Sequence, residues 1–246
     1  MRIGIIGAGN IGATLAGKLV ALGHDVVMAN SRGPESLMAI AAETGATAAP
    51  VSRAADKADI VIIAIPQKAV LDLPRDLFAA TAKDCIVIDT GNYYPEWRDG
   101  RIEAIENGMV ESRWVSQQIG RPVIKIFNSI LANSLANEGC QPGAPGRIAL
   151  PVAGDDAQAK AIVIALVDKL GFDGIDAGCL DESWRQQPGT ASYCTDLGSD
   201  DLREALKRAD RSQAPALRDR GFQQMLQLPK GFSPPILVET LRALFR

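Results

Sequence analysis

The chain has 246 residues, 47% of them apolar and 22% charged, with a formal net charge of −3. That length allows one large domain, or one domain with a small appendage, and the composition is that of a globular protein with a sizeable core. So small a net charge gives no reason to expect nucleic acid or an anionic membrane as a partner.

The first apolar run starts at Arg2, directly ahead of a glycine motif, which leaves no room for a secretion signal. Arg2–Ile6 reads as a strand and Ile11–Leu22 as an amphipathic helix, followed by a strand over Asp25–Ala29 and a helix over Glu35–Thr44. Ile60–Ala64, Cys85–Ile88, Val123–Phe127 and Arg147–Val152 are short β-branched runs bounded by polar residues. Asp156–Leu170 reads as a helix with Gly171 in the usual stop position, and Gly174–Ala177 as a last strand. Strands that alternate with helices make right-handed βαβ units. The expected fold class is therefore α/β, a Rossmann-type doubly wound, mostly parallel sheet.

After Asp181 the pattern changes. Trp184–Thr190 is dense in hydrogen-bonding groups; it could supply a second substrate's site or be an ordinary connector. Asp201–Ala209 and Pro234–Phe245 have helical spacing, and from Asp201 onward nine Lys/Arg stand against five Asp/Glu. The expected organisation is a Rossmann domain over 1–180 and a C-terminal loop and helical extension over 181–246. The run Ala161–Val167 is far shorter than the ~20 apolar residues that span a bilayer. Cys85, Cys140, Cys179 and Cys194 are scattered, with no C-x-x-C pair and no histidine cluster, so reduced thiols and no metal site are expected. A cytoplasmic location follows from these readings.

Gly7-Ala8-Gly9-Asn10-Ile11-Gly12 is a G-x-G-x-x-G that closes an apolar strand and opens a helix. In that context the glycines allow a tight turn, close approach of a pyrophosphate and close helix–strand packing. The first turn, with Asn10 and Ile11, offers free N–H groups to phosphate. About 20 residues further on, NAD-binding versions carry an acidic residue for the ribose 2′-OH. Here the chain reads Asn30-Ser31-Arg32. Ser31 can donate to a 2′-phosphate and Arg32 can clamp it, which makes NADP the expected cofactor. The alternative leaves Ser31 and Arg32 as a polar loop before Pro34. Ala64-Ile65-Pro66 ends a strand on the ligand side of such a sheet and should line the nicotinamide half.

No general acid or base stands out. The one histidine, His24, precedes a strand and so lies at the opposite end of the sheet from the cofactor. Two strand ends remain. Asp89-Thr90-Gly91-Asn92-Tyr93-Tyr94-Pro95 offers Gly91 and Asn92 as cofactor contacts. Lys125-Ile126-Phe127-Asn128-Ser129 offers Lys125 and Asn128 as candidates for the reacting side. Each could equally be a satisfied turn residue, and Lys125 could point into the fold.

Taken together, Gly7–Gly12, Asn30-Ser31-Arg32, Ala64-Ile65-Pro66, Asp89-Thr90-Gly91-Asn92 and Lys125-Ile126-Phe127-Asn128 resemble the deazaflavin (factor 420)-dependent NADP oxidoreductases. The same series is similar to the cytosolic domain of six-transmembrane metalloreductases. The resemblance covers about residues 1–180. It implies NADP held at Ser31 and Arg32, a homodimer, and a small-molecule redox partner, a deazaflavin or a flavin. It also implies little acid/base machinery, because hydride moves directly between stacked rings. The tail beyond residue 180 departs from the smallest members of that family and leaves the acceptor open. Two other readings compete: reduction of a small carbonyl or imine, with Lys125, Tyr93 or Tyr94 as proton donor, and a non-catalytic NADPH-binding sensor.

Overall fold

The computed structural model describes residues 1–245; Arg246, the last residue of the expected extension, lies outside the described residues. The chain divides into two compact units, Met1–Lys125 and Ile126–Arg246.

The first unit opens with β1 (Arg2–Ile6), α1 (Asn10–Ala21) and β2 (Asp25–Ala29). A 3-10 turn (Pro34–Leu37) leads into α2 (Met38–Thr44), β3 (Thr47–Ala48), α3 (Val51–Ala55) and β4 (Ile60–Ile63). A second 3-10 turn (Gln67–Asp72), β5 (Ile86–Asp89), a single π-turn (Pro95–Asp99), α4 (Glu103–Glu106), α5 (Glu111–Ile119) and β6 (Ile124–Lys125) complete it. The six strands form one parallel sheet in the order β3-β2-β1-β4-β5-β6, the order of a doubly wound dinucleotide fold. β1 sits between β2 and β4, with Ile5 opposite Met28 on one side and Ile62 on the other. Ile3, Ile5, Ile60 and Ile62 are buried, as a sheet covered on both faces requires. Each such side chain contributes about 1.5–3 kcal/mol over its exposed state.

Among the elements read in the sequence, two differ in kind or extent. The helix expected over Glu35–Thr44 starts as a 3-10 turn, because Ser36 turns its hydroxyl inward to the Gly33 carbonyl at 2.8 Å and receives the Asn30 amide at 2.9 Å. The strand expected over Val123–Phe127 ends at Lys125, and Phe127 takes a positive φ of 62° that no strand continues through.

The second unit holds α6 (Ala132–Asn137), β7 (Ala149–Val152), α7 (Ala157–Lys169) and β8 (Asp173–Asp176). A 3-10 turn (Leu180–Gln186), α8 (Ser199–Arg208), α9 (Ala214–Leu226) and α10 (Pro234–Ala243) follow. β7 and β8 pair with each other in a two-stranded parallel sheet. Asp156 caps α7 by accepting from the Gln158 and Ala159 amides, both at 2.9 Å. Arg147 ties the pair together through Asp168 at 2.9 Å and Asp173 at 2.8 Å. Leu202 and Leu206 of α8 pack on Ala149 and Ile175. This is why the division falls at residue 125 and not near 180: the last βαβ unit builds its own small core with the C-terminal helices. α9 did not show in the sequence because Arg218–Gly221 breaks up its apolar residues; Pro215 stands in its first turn, where proline is accepted.

Gly4 faces α3 so closely that an added Cβ would stand 1.9 Å from the Ala54 carbonyl oxygen. Gly4→Ala is therefore expected to lower stability by about 1–3 kcal/mol or more, read as a lower urea midpoint at unchanged slope.

Candidate functional site

The site grows from the backbone turn that ends β1. Gly7 has a φ of 115°, and its amide donates to the Ala29 carbonyl of β2 at 2.8 Å. A Cβ at Gly7 would stand 2.1 Å from the Ala64 carbonyl oxygen, and one at Gly12 would stand 2.1 Å from the Gly7 carbonyl oxygen. These two glycines let β1, α1 and the end of β4 touch through bare backbone. Gly9 is different: a Cβ there would meet nothing within 4 Å, so this glycine faces open space. It is the N-cap of α1 and provides no side-chain cap, so no side chain occupies the first-turn amides of Asn10 and Ile11. An anionic group can approach here without displacing protein atoms.

That open space belongs to a cleft of about 620 Å³, within the size range of small-molecule sites. Gly7 and Gly9 form its floor, Asn30, Ser31 and Arg32 one end, and Ala64, Ile65 and Pro66 a wall. The sequence did not mark Val51, Ala69, Asp72, Leu73 and Pro74, which also line it. They sit on α3, on the 3-10 turn after Pro66 and in the two residues just beyond it, elements too short to leave a periodic signal.

Asn30 shapes the end of the cleft at β2. Its side-chain oxygen accepts the Arg32 amide at 2.9 Å, which closes an Asx turn, and its side-chain nitrogen donates to the Ser36 hydroxyl at 2.9 Å. Ser31 and Arg32 are exposed on that turn, and among the described residues no acidic side chain pairs with the Arg32 guanidinium. Asp72 is the one acidic residue of the lining.

The ends of β5 and β6 are held by a buried polar network. Asp89 accepts from the Lys125 ammonium at 3.0 Å and the Ser112 hydroxyl at 2.7 Å through one oxygen, and from the Gly91 amide at 2.8 Å through the other. The Lys125 ammonium also donates to the Gly91 carbonyl. Lys125 is 0% exposed, so its amine faces the interior and not the cleft. Gly91 is packed against this network, and a Cβ there would stand 2.9 Å from both Asp89 Oδ1 and Gln67 Oε1. Asn92 is half-buried, and its carbonyl accepts from the Arg98 guanidinium. Gly12, Gly91 and Asn92 thus stand around the cleft's frame and do not line it. Tyr93 is buried; its hydroxyl donates to Glu106 at 2.8 Å and accepts the Ile102 amide at 2.8 Å.

In the second unit, Asn128 is buried and exchanges hydrogen bonds with Gln186: its amide donates to the Gln186 carbonyl at 2.7 Å, and its oxygen accepts from the Gln186 amide at 3.0 Å. Gln186 also donates to the Pro151 carbonyl at 3.1 Å. The polar groups of Trp184–Thr190 therefore lock that segment onto its own unit. His24 lies just ahead of β2, its Nδ1 3.4 Å from the amino terminus. Burial raises the Cys85 thiol to about 11 and pushes the Cys194 thiol upward as well, so neither supplies a thiolate. Among the described residues no group of three His, Cys, Asp or Glu side chains could hold a metal ion, and no helix is long and apolar enough to cross a membrane.

Residues 2–93 match the family model described as NADP oxidoreductase, coenzyme F420-dependent. A crystal structure of a hypothetical protein from Sinorhizobium meliloti is 30% identical, covers 76% of this chain and 89% of its own, and superposes with a TM-score of 0.63. Over residues 2–93 the chain is thus similar to the NADP oxidoreductases of that model, and over most of its length to the Sinorhizobium meliloti protein. Another structure of this kind, from Arthrobacter sp. FB24 and named as a candidate F420-dependent NADP-reductase, is 25% identical over 74% of this chain and 87% of its own, with a TM-score of 0.60. The Escherichia coli K12 protein YjhV is 40% identical over 74 residues, 30% of this chain. The match spans 54% of the length of that curated relative.

Removing one partner of the Asp89–Lys125 pair leaves the other charge buried and uncompensated. Lys125→Met is expected to cost about 3–5 kcal/mol by urea unfolding, and the double variant with Asp89→Asn less than the sum of the two single losses. Additive losses would show that the pair does not act as a unit.

Proposed function

We propose that this oxidoreductase uses NADP(H) and that its second substrate is a planar redox acceptor, a deazaflavin or a flavin. The observation that carries the nucleotide is the unpaired Arg32 beside Ser31, at the end of the cleft where an NAD site would carry a carboxylate. In this reading the backbone at Gly7 and Gly9, with the first-turn amides of Asn10 and Ile11, holds the pyrophosphate, and Gly12 keeps α1 packed against the end of β1. Ser31 and Arg32 bind the 2′-phosphate, and Asn30 orients their turn. Ala64, Ile65 and Pro66 flank the nicotinamide half, supported by Gly91 and Asn92. The dinucleotide, when bound as NADPH, supplies a hydride, two electrons with one proton, while the acceptor ring takes its second proton from solvent.

Two of the three residues that would serve a carbonyl or imine reduction, Lys125 and Tyr93, are occupied elsewhere. The Lys125 ammonium and the Tyr93 hydroxyl are both buried in hydrogen bonds. Transfer to a flat ring asks for positioning and no protein proton donor, which supports the planar acceptor. Asn128, offered by the sequence as a contact for the reacting side, has its amide and its oxygen engaged with Gln186 in the second unit, and the proposal gives it a structural role. A cytoplasmic location and a homodimer belong to the proposal on the strength of the family resemblance, as does a flavin acceptor through the likeness to the metalloreductases.

Mixing the full-length protein with NADPH and with FMN, FAD or an oxidised 5-deazaflavin should bleach the reduced-nicotinamide absorbance with at least one of them. The rate should vary less than about threefold between roughly pH 6 and 9, since no side chain titrates in the step. Reduction of carbonyl or imine compounds with a bell-shaped pH profile, and none of the planar acceptors, would overturn the proposal.

A further inference from the structure

The first unit carries an aromatic surface outside the cleft lining. Trp97 is 54% exposed, although a tryptophan is among the side chains with most to gain from burial. Its orientation is nevertheless fixed. The Tyr94 ring meets it edge to face, with centroids 5.5 Å apart and planes at 89°. The Arg98 guanidinium lies 5.9 Å from the Trp97 ring and 5.7 Å from the Tyr94 ring. Arg98 is itself held by the Asn92 carbonyl and by the Asp99 carboxylate at 2.9 Å. Asp99 is buried, and its oxygens accept the Tyr94 amide at 2.9 Å and the Lys68 amide at 3.3 Å.

These tethers place the cluster. It follows β5 on the carboxyl side of the sheet, where ligands of such folds lie. Through Lys68 it is pinned two residues past Pro66, the end of the cleft wall, and through Asn92 to the strand end itself. The backbone that presents Trp97 is a single π-turn, a distortion that recurs at functional sites. The other exposed large side chains, such as Met38, Leu71 and Leu226, show no comparable ring and ion-pair framing.

The chemistry of the cluster limits what it can take. Asp99 is paired with Arg98 and the exposed Glu96 adds a carboxylate, so the turn offers no excess of positive charge to a phosphate or carboxylate. What it offers is an indole and a phenol held in advance, and such faces stack on flat conjugated rings with little ordering cost. We propose that Tyr94, Trp97 and Arg98 form the docking surface for the planar ring of the second substrate, with Trp97 setting acceptor specificity. This rests on the reading of a planar acceptor given above.

The test compares wild type, Trp97→Ala and Trp97→Phe as full-length proteins, using the planar compound turned over fastest among FMN, FAD and a 5-deazaflavin. Trp97→Ala should raise KM for the acceptor roughly ten- to hundredfold, the range for loss of one stacking ring. NADPH Kd should stay within about twofold, and Trp97→Phe should recover most of the loss. Thermal melting checks that the variants fold. An unchanged acceptor KM in a folded Trp97→Ala would overturn the docking surface and leave the proposed function standing. Equal weakening of NADPH and acceptor would overturn it too, by giving Trp97 a purely structural role. If the wild type reduces no planar acceptor, the proposed function fails and the docking surface with it. Should Trp97→Ala fail to fold, Trp97→Phe and Tyr94→Leu carry the same comparison.

Discussion

The site depends on one steric constraint: three pieces of backbone meet where no side chain can stand. The end of β1, the first turn of α1 and the end of β4 come together at Gly7, Gly12 and Ala64, with 2.1 Å left for any Cβ at either glycine. That contact fixes α1 with its bare N-terminus directed at the open space in front of Gly9. It also sets Ala64–Pro66 as the facing wall. Any substitution that pushes these segments apart would widen the cleft and turn the first-turn amides away from it, so packing and binding geometry are here the same property.

A second constraint governs the ends of β5 and β6. Asp89 and Lys125 are both buried, and a buried pair is weak evidence of stabilisation in itself. Its value lies in what it fixes. Asp89 holds the Gly91 amide, Lys125 the Gly91 carbonyl, and the chain from Asn92 to Asp99 leaves that anchored point to form the exposed aromatic turn. The unit thus has a polar end with an exposed Arg32 and, beyond β5, an aromatic surface framed by the Arg98–Asp99 pair. Between them it presents no accessible proton donor from the buried network. Such a division suits a reaction governed by the placement of two flat rings.

How much of this could be read in the sequence follows from how local each cause is. The Gly7–Gly12 motif was legible because close backbone approach admits glycine alone; the turn that Asn30 closes was not, because it rests on hydrogen bonds to the Arg32 amide and the Ser36 hydroxyl. The role of Lys125 was not settled by sequence, since its partner Asp89 lies 36 residues away and only the β5–β6 pairing brings them together. The framing of Trp97 was hidden for a similar reason: it depends on a π-turn and on an amide contact from Lys68. The division after Lys125 was also illegible. A βαβ pattern reads the same whether its strands extend the main sheet or, like β7 and β8, pair by themselves.

The central claim is that the cleft is built for the phosphorylated dinucleotide through Arg32. Calorimetric titration of the wild type and Arg32→Ala with NADPH and NADH, in the same low-salt buffer, tests it most directly. The account predicts that the wild type binds NADPH about ten- to hundredfold more tightly than NADH, and that Arg32→Ala loses most of that preference while keeping its NADH affinity. Equal or tighter binding of NADH by the wild type, or an Arg32→Ala that keeps the full preference for NADPH, would contradict it.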